Sequence, residues 1–257
     1  MTREIAKRLK VAATRAGFAA VPADDLVSQQ TAIAAGGSPL GRGPTVALAI
    51  GGEAVPRNPL EALLTGAGSG IPVLIGCTSE EYRLWLVPSG AVDKATWITV
   101  AVARLAARVP ARIVRAHRTR RPDASAGEVL GEVITDMLLR GPITRFADSR
   151  VSAADSATWV YEFRWRSTVD RLGAAHVMEL GFVFDRLGQP DAIGIGGPDG
   201  PQALADAMHR AWVSFVVGGD PGWEAWSSRR PVQAFDADGG HIDYAPRQEE
   251  LDGLPER

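Results

Sequence analysis

The sequence predicts an α/β chain with few parallel strands and a large helical insertion between two of them. Three observations carry this reading. Ile71-Pro72-Val73-Leu74-Ile75-Gly76 and Trp159-Val160-Tyr161-Glu162-Phe163-Arg164 are apolar runs of strand length. Each is followed by a short polar connection, and both are apolar enough to suit strands covered on both faces, as in a parallel sheet. Between them the apolar residues recur with helical spacing rather than strand alternation.

The elements follow in order. Thr2 to Gly17 reads as one amphipathic helix, with Ile5, Leu9, Ala12, Ala13 and Ala16 on one face, a Glu4–Arg8 pair one turn apart, and Gly17 as its stop. Asp24 to Ala35 reads as a second helix. Gly36 to Pro59 is a Gly/Pro-rich loop, and Pro59 to Leu64 is a short helix leading into the strand at 71–76. Lys94 to Arg108 is helical, with Trp97, Val100, Ala101, Leu105 and Val109 near one face. Ser125-Ala126-Gly127-Glu128 is a capping box. It opens a helix in which Val129, Leu130, Val133, Ile134, Met137 and Leu138 form an apolar stripe. Gly141-Pro142 stops that helix, and Ile143 to Ala154 resumes it. Asp185 to Gly200 is a Gly-rich surface loop; its Gly194-Ile195-Gly196-Gly197 lacks the preceding strand and the Lys of a phosphate loop. Pro201 to Val217 is an amphipathic helix burying Leu204, Met208, Ala211, Trp212, Phe215 and Val216, ended by Gly218-Gly219. Val232 to Phe235 and His241 to Tyr244 flank Asp238-Gly239-Gly240 as a hairpin.

Composition removes several function classes. The chain has 257 residues, 46% of them hydrophobic, and a net charge of -2. That balance offers no electrostatic footprint for nucleic acid or an anionic membrane. The basic run Arg115-Ala116-His117-Arg118-Thr119-Arg120-Arg121 has no interleaved aromatics and reads as a solvated helix end. His117, His209 and His241 all read as surface residues. No His/Cys pair has metal-ligand spacing, so neither a metal nor a cofactor is expected. Cys77 is the single cysteine, which is compatible with a reducing compartment. The first residues carry no secretion signal and no run is long and apolar enough for a membrane span. A cytoplasmic location is expected.

Chemistry concentrates in two stretches. Gly173-Ala174-Ala175-His176-Val177-Met178-Glu179-Leu180-Gly181-Phe182-Val183-Phe184 is a small-residue loop with one His, set past the end of an apolar strand. α/β-Hydrolases present their catalytic base this way. A lone His among apolar residues is, by itself, more often a packed core or loop His. The second stretch is Ile75-Gly76-Cys77-Thr78-Ser79-Glu80-Glu81-Tyr82-Arg83-Leu84-Trp85: strand, Gly, then a polar turn bearing two acids.

Together these runs resemble the two C-terminal signatures of the type B carboxylesterase family, which contains nitrobenzyl esterases and cholinesterases. Ala211-Trp212-Val213-Ser214-Phe215 through Gly219-Asp220-Pro221 resembles that family's C-terminal helix and its stop, and Ile50-Gly51-Gly52-Glu53-Ala54-Val55-Pro56 resembles one of its turns, with Gly51 in place of Asp. The resemblance implies that residues 1–257 are the C-terminal portion of an α/β-hydrolase fold. It implies Glu81 as catalytic acid and His176 as general base, with a nucleophile earlier than both. Glu80 is the alternative acid; the family pattern places the acid second of the pair. Glu179 matches a family carboxylate that would brace the loop.

The Gly-x-Ser-x-Gly elbow of the family does not occur here, nor does a His-Gly-Gly oxyanion loop. Three readings follow. The chain supplies the acid and base of a Ser-Glu-His triad for a small-molecule ester and is inactive until a separately encoded or longer N-terminal half adds the Ser. Alternatively, it is a non-catalytic remnant or binding module. Last, Cys77 or Ser79 serves as a nucleophile within the chain. Glu81 and His176 are expected within hydrogen-bond reach, and the sheet is expected to have an open apolar edge.

Overall fold

The computed structural model describes residues 2–35, 50–151 and 156–255. The chain forms two compact units, Met1–Pro59 and Leu60–Arg257. In the first, the expected single helix is two: Thr2–Leu9 and Arg15–Ala19. Lys10 turns left-handed at φ 56° and breaks the run. Thr14 then caps the second helix by accepting from the Gly17 amide. Gly17 is therefore no stop. It lies inside a helix, where a Cβ would collide with the Ala12 carbonyl at 2.2 Å. The Glu4–Arg8 pair forms at 3.2 Å, and the third helix runs Ala23–Ala35. Gly51 and Val55 close the turn at 50–55. Residues 36–49 of the expected loop lie outside the described residues.

The second unit is built on a four-stranded sheet in the order β1-β2-β3-β4. β1 (Val73–Thr78) and β2 (Thr158–Phe163) pair in parallel, from Val73 opposite Thr158 to Thr78 opposite Phe163. β3 (Pro231–Phe235) joins β2 in parallel, and β4 (His241–Tyr244) returns antiparallel. The expected hairpin exists, and it extends the main sheet. Strand alternation divides the core. Tyr161 and Phe163 face one cluster with Trp165, Phe182, Met208 and Phe235, covered by helix Gln202–Gly218. Val160 and Cys77 face the other, with Ile143, Ala147 and Val232, covered by helix Gly141–Arg150. β2 is buried at every position but half-buried Tyr161, whereas the first four residues of β1 are only half-buried. β1 is an edge strand without Pro or charge within it, the features that ordinarily protect an edge.

The insertion between β1 and β2 holds helices Arg83–Leu86, Ala91–Lys94, Trp97–Ala106, Ala111–Arg120 and Ala126–Thr135. The Ser125–Glu128 capping box forms with both reciprocal bonds. The helix it opens does not stop at Gly141-Pro142. A π-helical turn, Asp136–Arg140, carries it into helix Gly141–Arg150. Proline offers no amide and its ring needs room; the wider turn precedes it and Pro142 falls in the first turn of the next helix. Asp185 to Gly200 is likewise not all loop, since Pro190–Gly196 is helical. Of the residues expected along one face at 94–108, Val100 and Val109 are buried but Trp97 and Leu105 are exposed. Among the described residues no helix is long and apolar enough to cross a membrane.

The insertion's apolar stripe hides a polar seam. Glu132, Thr135 and Asp136 are buried beside Val129 and Val133, and Leu138 is exposed. The seam faces His117, which is fully buried and not a surface residue. His117 Nδ1 lies 3.1 Å from Glu132 and Nε2 3.0 Å from Asp136. Arg120 and Arg121 also bind Glu132, so one side of the basic run faces the seam, while Arg115, Arg118 and Arg120 stay exposed at a solvated helix end as expected. Helical spacing cannot distinguish this seam from an apolar one, because the acids occur at the i, i+4 positions of the same face.

Burial disfavours the charged form of His117, but Asp136 and Glu132 outweigh it and raise its pKa above the ordinary 6.5. A raised histidine stabilises the fold fully below the ordinary pKa and loses that contribution as pH rises through the folded value. The stability difference between the native chain and a His117→Gln variant is therefore expected to shrink as pH rises above the ordinary 6.5. Urea unfolding of both proteins over a series of pH values checks it. A difference that stays constant with pH would remove the imidazolium from the account.

Candidate active site

The turn after β1 is stitched to the rest of the sheet before any side chain is considered. The Ser79 amide donates to the Phe163 carbonyl at 2.8 Å, continuing the β1–β2 ladder by one residue. The Glu80 amide donates to the Ala174 carbonyl at 2.9 Å, tying the acid turn to the His loop. Glu81 folds back over the strand end. Its Oε1 accepts the Thr78 amide at 2.7 Å, and its Oε2 faces His176 Nδ1 at 2.5 Å. The two side chains named from the sequence meet, although 95 positions separate them.

The surroundings differ sharply between the partners. The Glu81 side chain is 5% exposed and that of His176 is 40% exposed. The carboxylate is held inside and the ring looks outward. With Nδ1–H donating to Glu81, Nε2 is the basic nitrogen, and it bonds to no described residue. Trp85 packs its ring against the imidazole at a centroid distance of 4.8 Å. The hydrogen bond that His176 donates to Glu81 raises the His176 pKa above its ordinary value, against burial, which lowers it.

Glu80 does not approach the ring; it clamps the loop that carries it. Its Oε1 accepts from Arg83 Nε at 2.7 Å, and its Oε2 accepts from the Ala174 amide at 3.2 Å and from Arg166 at 2.5 Å. Arg83 reaches on to the Arg171 carbonyl and to Glu128. This close approach requires Gly173. The residue sits at φ 57°, and a Cβ there would stand 2.3 Å from Glu80 Oε2. Ala174 and Ala175 are fully buried, which leaves no space for larger side chains beneath His176. Val177, directly after the ring, has φ 63°. A β-branched residue in the left-handed region is strained, and the loop holds it because both ends are tied down.

Glu179, three positions after His176, is half-buried. Its Oε2 is buried without a hydrogen-bond partner among the described residues. Burial first, and then the Glu81 charge, push its pKa up to about 7. The in-chain alternatives to a missing Ser are poorly placed. Cys77 packs with Val160 and Ile143 on the other core face, and burial pushes its thiol far above the ordinary range. Ser79 is buried at the turn and makes no bond to His176. Among the described residues, no group of three or more acids, His or Cys is placed to hold a metal ion.

Sequence reasoning found the pair and missed its supports. Arg83, Arg166 and the Arg140 guanidinium, which donates to the Ser79 carbonyl, come from three separate segments. Nothing in their spacing marks them.

Comparison with known proteins gives the family and the fold. The model of the carboxylesterase family matches residues 2–237. The chain is 28% identical over 162 residues to the para-nitrobenzyl esterase of Bacillus subtilis (strain 168), covering 62% of this chain and 32% of that protein. It is 29% identical over 115 residues to the phenmedipham hydrolase of Pseudarthrobacter oxydans, covering 41% of this chain and 23% of that one. The crystal structure of the Geobacillus stearothermophilus carboxylesterase EST55 superposes with a TM-score of 0.80 at 27% identity, over 98% of this chain and 53% of that chain. A PNB esterase structure shares the fold, with a TM-score of 0.72 at 22% identity. The chain thus spans about half the length of the solved carboxylesterase it resembles. It belongs to the carboxylesterase family, the type B group of α/β-hydrolases.

Proposed function

We propose that this chain is the acid-and-base portion of a carboxylic ester hydrolase, with Glu81 and His176 as two members of a Ser-Glu-His triad. The observation that carries the reading is the Glu81–His176 contact at 2.5 Å, with the opposite ring nitrogen unengaged. In this reading Nε2 takes the proton of a seryl hydroxyl as that oxygen attacks the ester carbonyl. Glu81 stabilises the imidazolium that forms, and the imidazolium then protonates the departing alcohol. Water repeats the sequence on the acyl-enzyme and releases the acid.

The seryl group and the oxyanion donors belong, in this proposal, to an N-terminal portion that continues the sheet from the bare edge of β1. Its source is either a longer polypeptide or a separate chain. The substrate is a small-molecule ester, and the matched para-nitrobenzyl esterase makes an aryl or benzyl ester the first class to try. The chain alone has no nucleophile for the step and is inactive. The single buried thiol of Cys77 suits work in the cytoplasm.

The test joins this chain, at its N-terminus, to the nucleophile-bearing N-terminal portion of the Bacillus subtilis para-nitrobenzyl esterase. Hydrolysis of p-nitrophenyl acetate is then followed. The joined protein is expected to turn over, and the chain by itself is not. A joined protein that folds and binds substrate but never hydrolyses it would leave this chain a non-catalytic remnant.

A further inference from the structure

On the sheet face opposite helix Gln202–Gly218 lies a cavity of about 40 Å³. Its floor is the second core cluster: Cys77, Ile143, Val160 and Val232, with Trp226 at the side. Its roof is the strap after β4, residues 245–247. Ala245 and Arg247 both turn left-handed there, at φ 47° and φ 60°, on either side of Pro246. Left-handed backbone is unfavourable for both, and doubly so for Ala245, which precedes a proline. The strap holds this conformation and in doing so carries Arg247 inward, where its side chain is 12% exposed.

Arg247 is incompletely satisfied. Its Nε donates to Glu162 Oε1 at 3.2 Å, but Nη1 is buried with no partner among the described residues. Glu162 already accepts from Arg140 at 2.7 Å and from Arg164 at 2.5 Å, so it is shared among three guanidiniums. Burial, and then the neighbouring Arg140 charge, hold the Arg247 pKa below its ordinary value. A buried donor of this kind calls for an acceptor, and a guanidinium edge matches a planar oxyanion. Ile143, Val160, Trp226, Val232 and Leu251 make most of the wall apolar, and Arg140, Thr144 and the thrice-paired Glu162 also line it.

We infer that the cavity under the 245–247 strap binds a short monocarboxylate, its carboxylate on Arg247 Nη1 and its alkyl end against Trp226 and Val232. The size supports this class. A cavity of 40 Å³ holds about three water positions, which suits acetate or propionate and excludes a long acyl chain. The site uses neither Glu81 nor His176 and stands apart from the proposed hydrolysis. Half-exposed Arg230 and exposed Gln248 line the mouth and leave a path inward.

The test uses the whole chain and sodium propionate. Saturation-transfer NMR on the propionate methyl group and calorimetric titration read binding, with sodium chloride and sodium phosphate as controls at matched ionic strength. Saturable propionate binding is expected, with no saturable binding of chloride or phosphate. Arg247→Lys removes the planar edge and keeps a cation beside Glu162. Val232→Leu fills the apolar end and leaves the guanidinium untouched. Each is expected to weaken binding by about tenfold or more. If the lysine variant does not fold, the leucine variant decides alone. The inference is overturned if propionate behaves like chloride, if phosphate binds as well as propionate, or if binding survives in a folded variant.

Discussion

Replacing His176 with alanine is expected to cut the turnover of the joined hydrolase on the order of 10⁴- to 10⁶-fold, with little change in KM. Trp85 packs on one side of the ring and Glu81 fills its Nδ1 position, so truncating the ring removes the oriented base and leaves its supports behind. Glu81→Gln should cost about 10⁴-fold, because an amide can stabilise the wrong tautomer and cannot balance an imidazolium. Glu80→Gln should cost no more than about a hundredfold, since it loosens the loop that positions the ring without touching the ring. The order of these effects separates the two acids of the turn. The pH profile adds an independent reading. Base catalysis needs neutral His176, and its raised pKa places the acid limb of kcat/KM above the ordinary 6.5. Removing the Glu81 charge lowers that pKa, so the limb should move to lower pH in Glu81→Gln. A variant whose rate stays within about tenfold of the parent, or whose limb does not move, would disprove the assignment.

Arg140→Met is expected to destabilise the second unit by about 3–5 kcal/mol. Arg140 is buried and answers two buried carboxylates, binding Glu162 at 2.7 Å and Asp136 more closely still. Its third contact, to the Ser79 carbonyl, fixes the base of the acid turn. Methionine fills much of the same space but leaves Asp136 and Glu162 with fewer cations to face. That residual buried charge, more than the lost bonds, is what costs stability. All seven tryptophans lie between Trp85 and Trp226, within this unit, so their fluorescence reports its urea unfolding without interference from the first. A second change, Glu162→Gln, should be less harmful in the Arg140→Met background than in the native one, because it removes an orphaned charge. A loss below about 1 kcal/mol would place Arg140 among ordinary surface pairs and refute the argument.

The same buried charges explain how far the sequence could be read. Local signals carried well. The capping box at Ser125, the helix stop at Gly219 and the hairpin around Gly239 depend on backbone chemistry within a few residues, and each occurs where expected. The two strand runs were legible because a strand covered on both faces is apolar throughout. The helix boundaries at Gly17 and at Gly141-Pro142 misled for one reason. Gly and Pro mark places where backbone conformation is special, without specifying whether the cause is a stop, a close contact or a wider turn. Gly17 serves a contact with Ala12, and Pro142 follows a π turn.

By itself the sequence determined the α/β character, the two loops that carry Glu81 and His176, and the family to which their motifs point. Only the tertiary structure decided that Glu80 and Arg83 clamp the loop and that His117 lies inside a charged seam. The physical reason is range. Caps, turns and strand patterns are set by neighbours along the chain, whereas a carboxylate's partner is set by whichever segment folding brings within about 3 Å of it, and that distance is not written in the order of the residues.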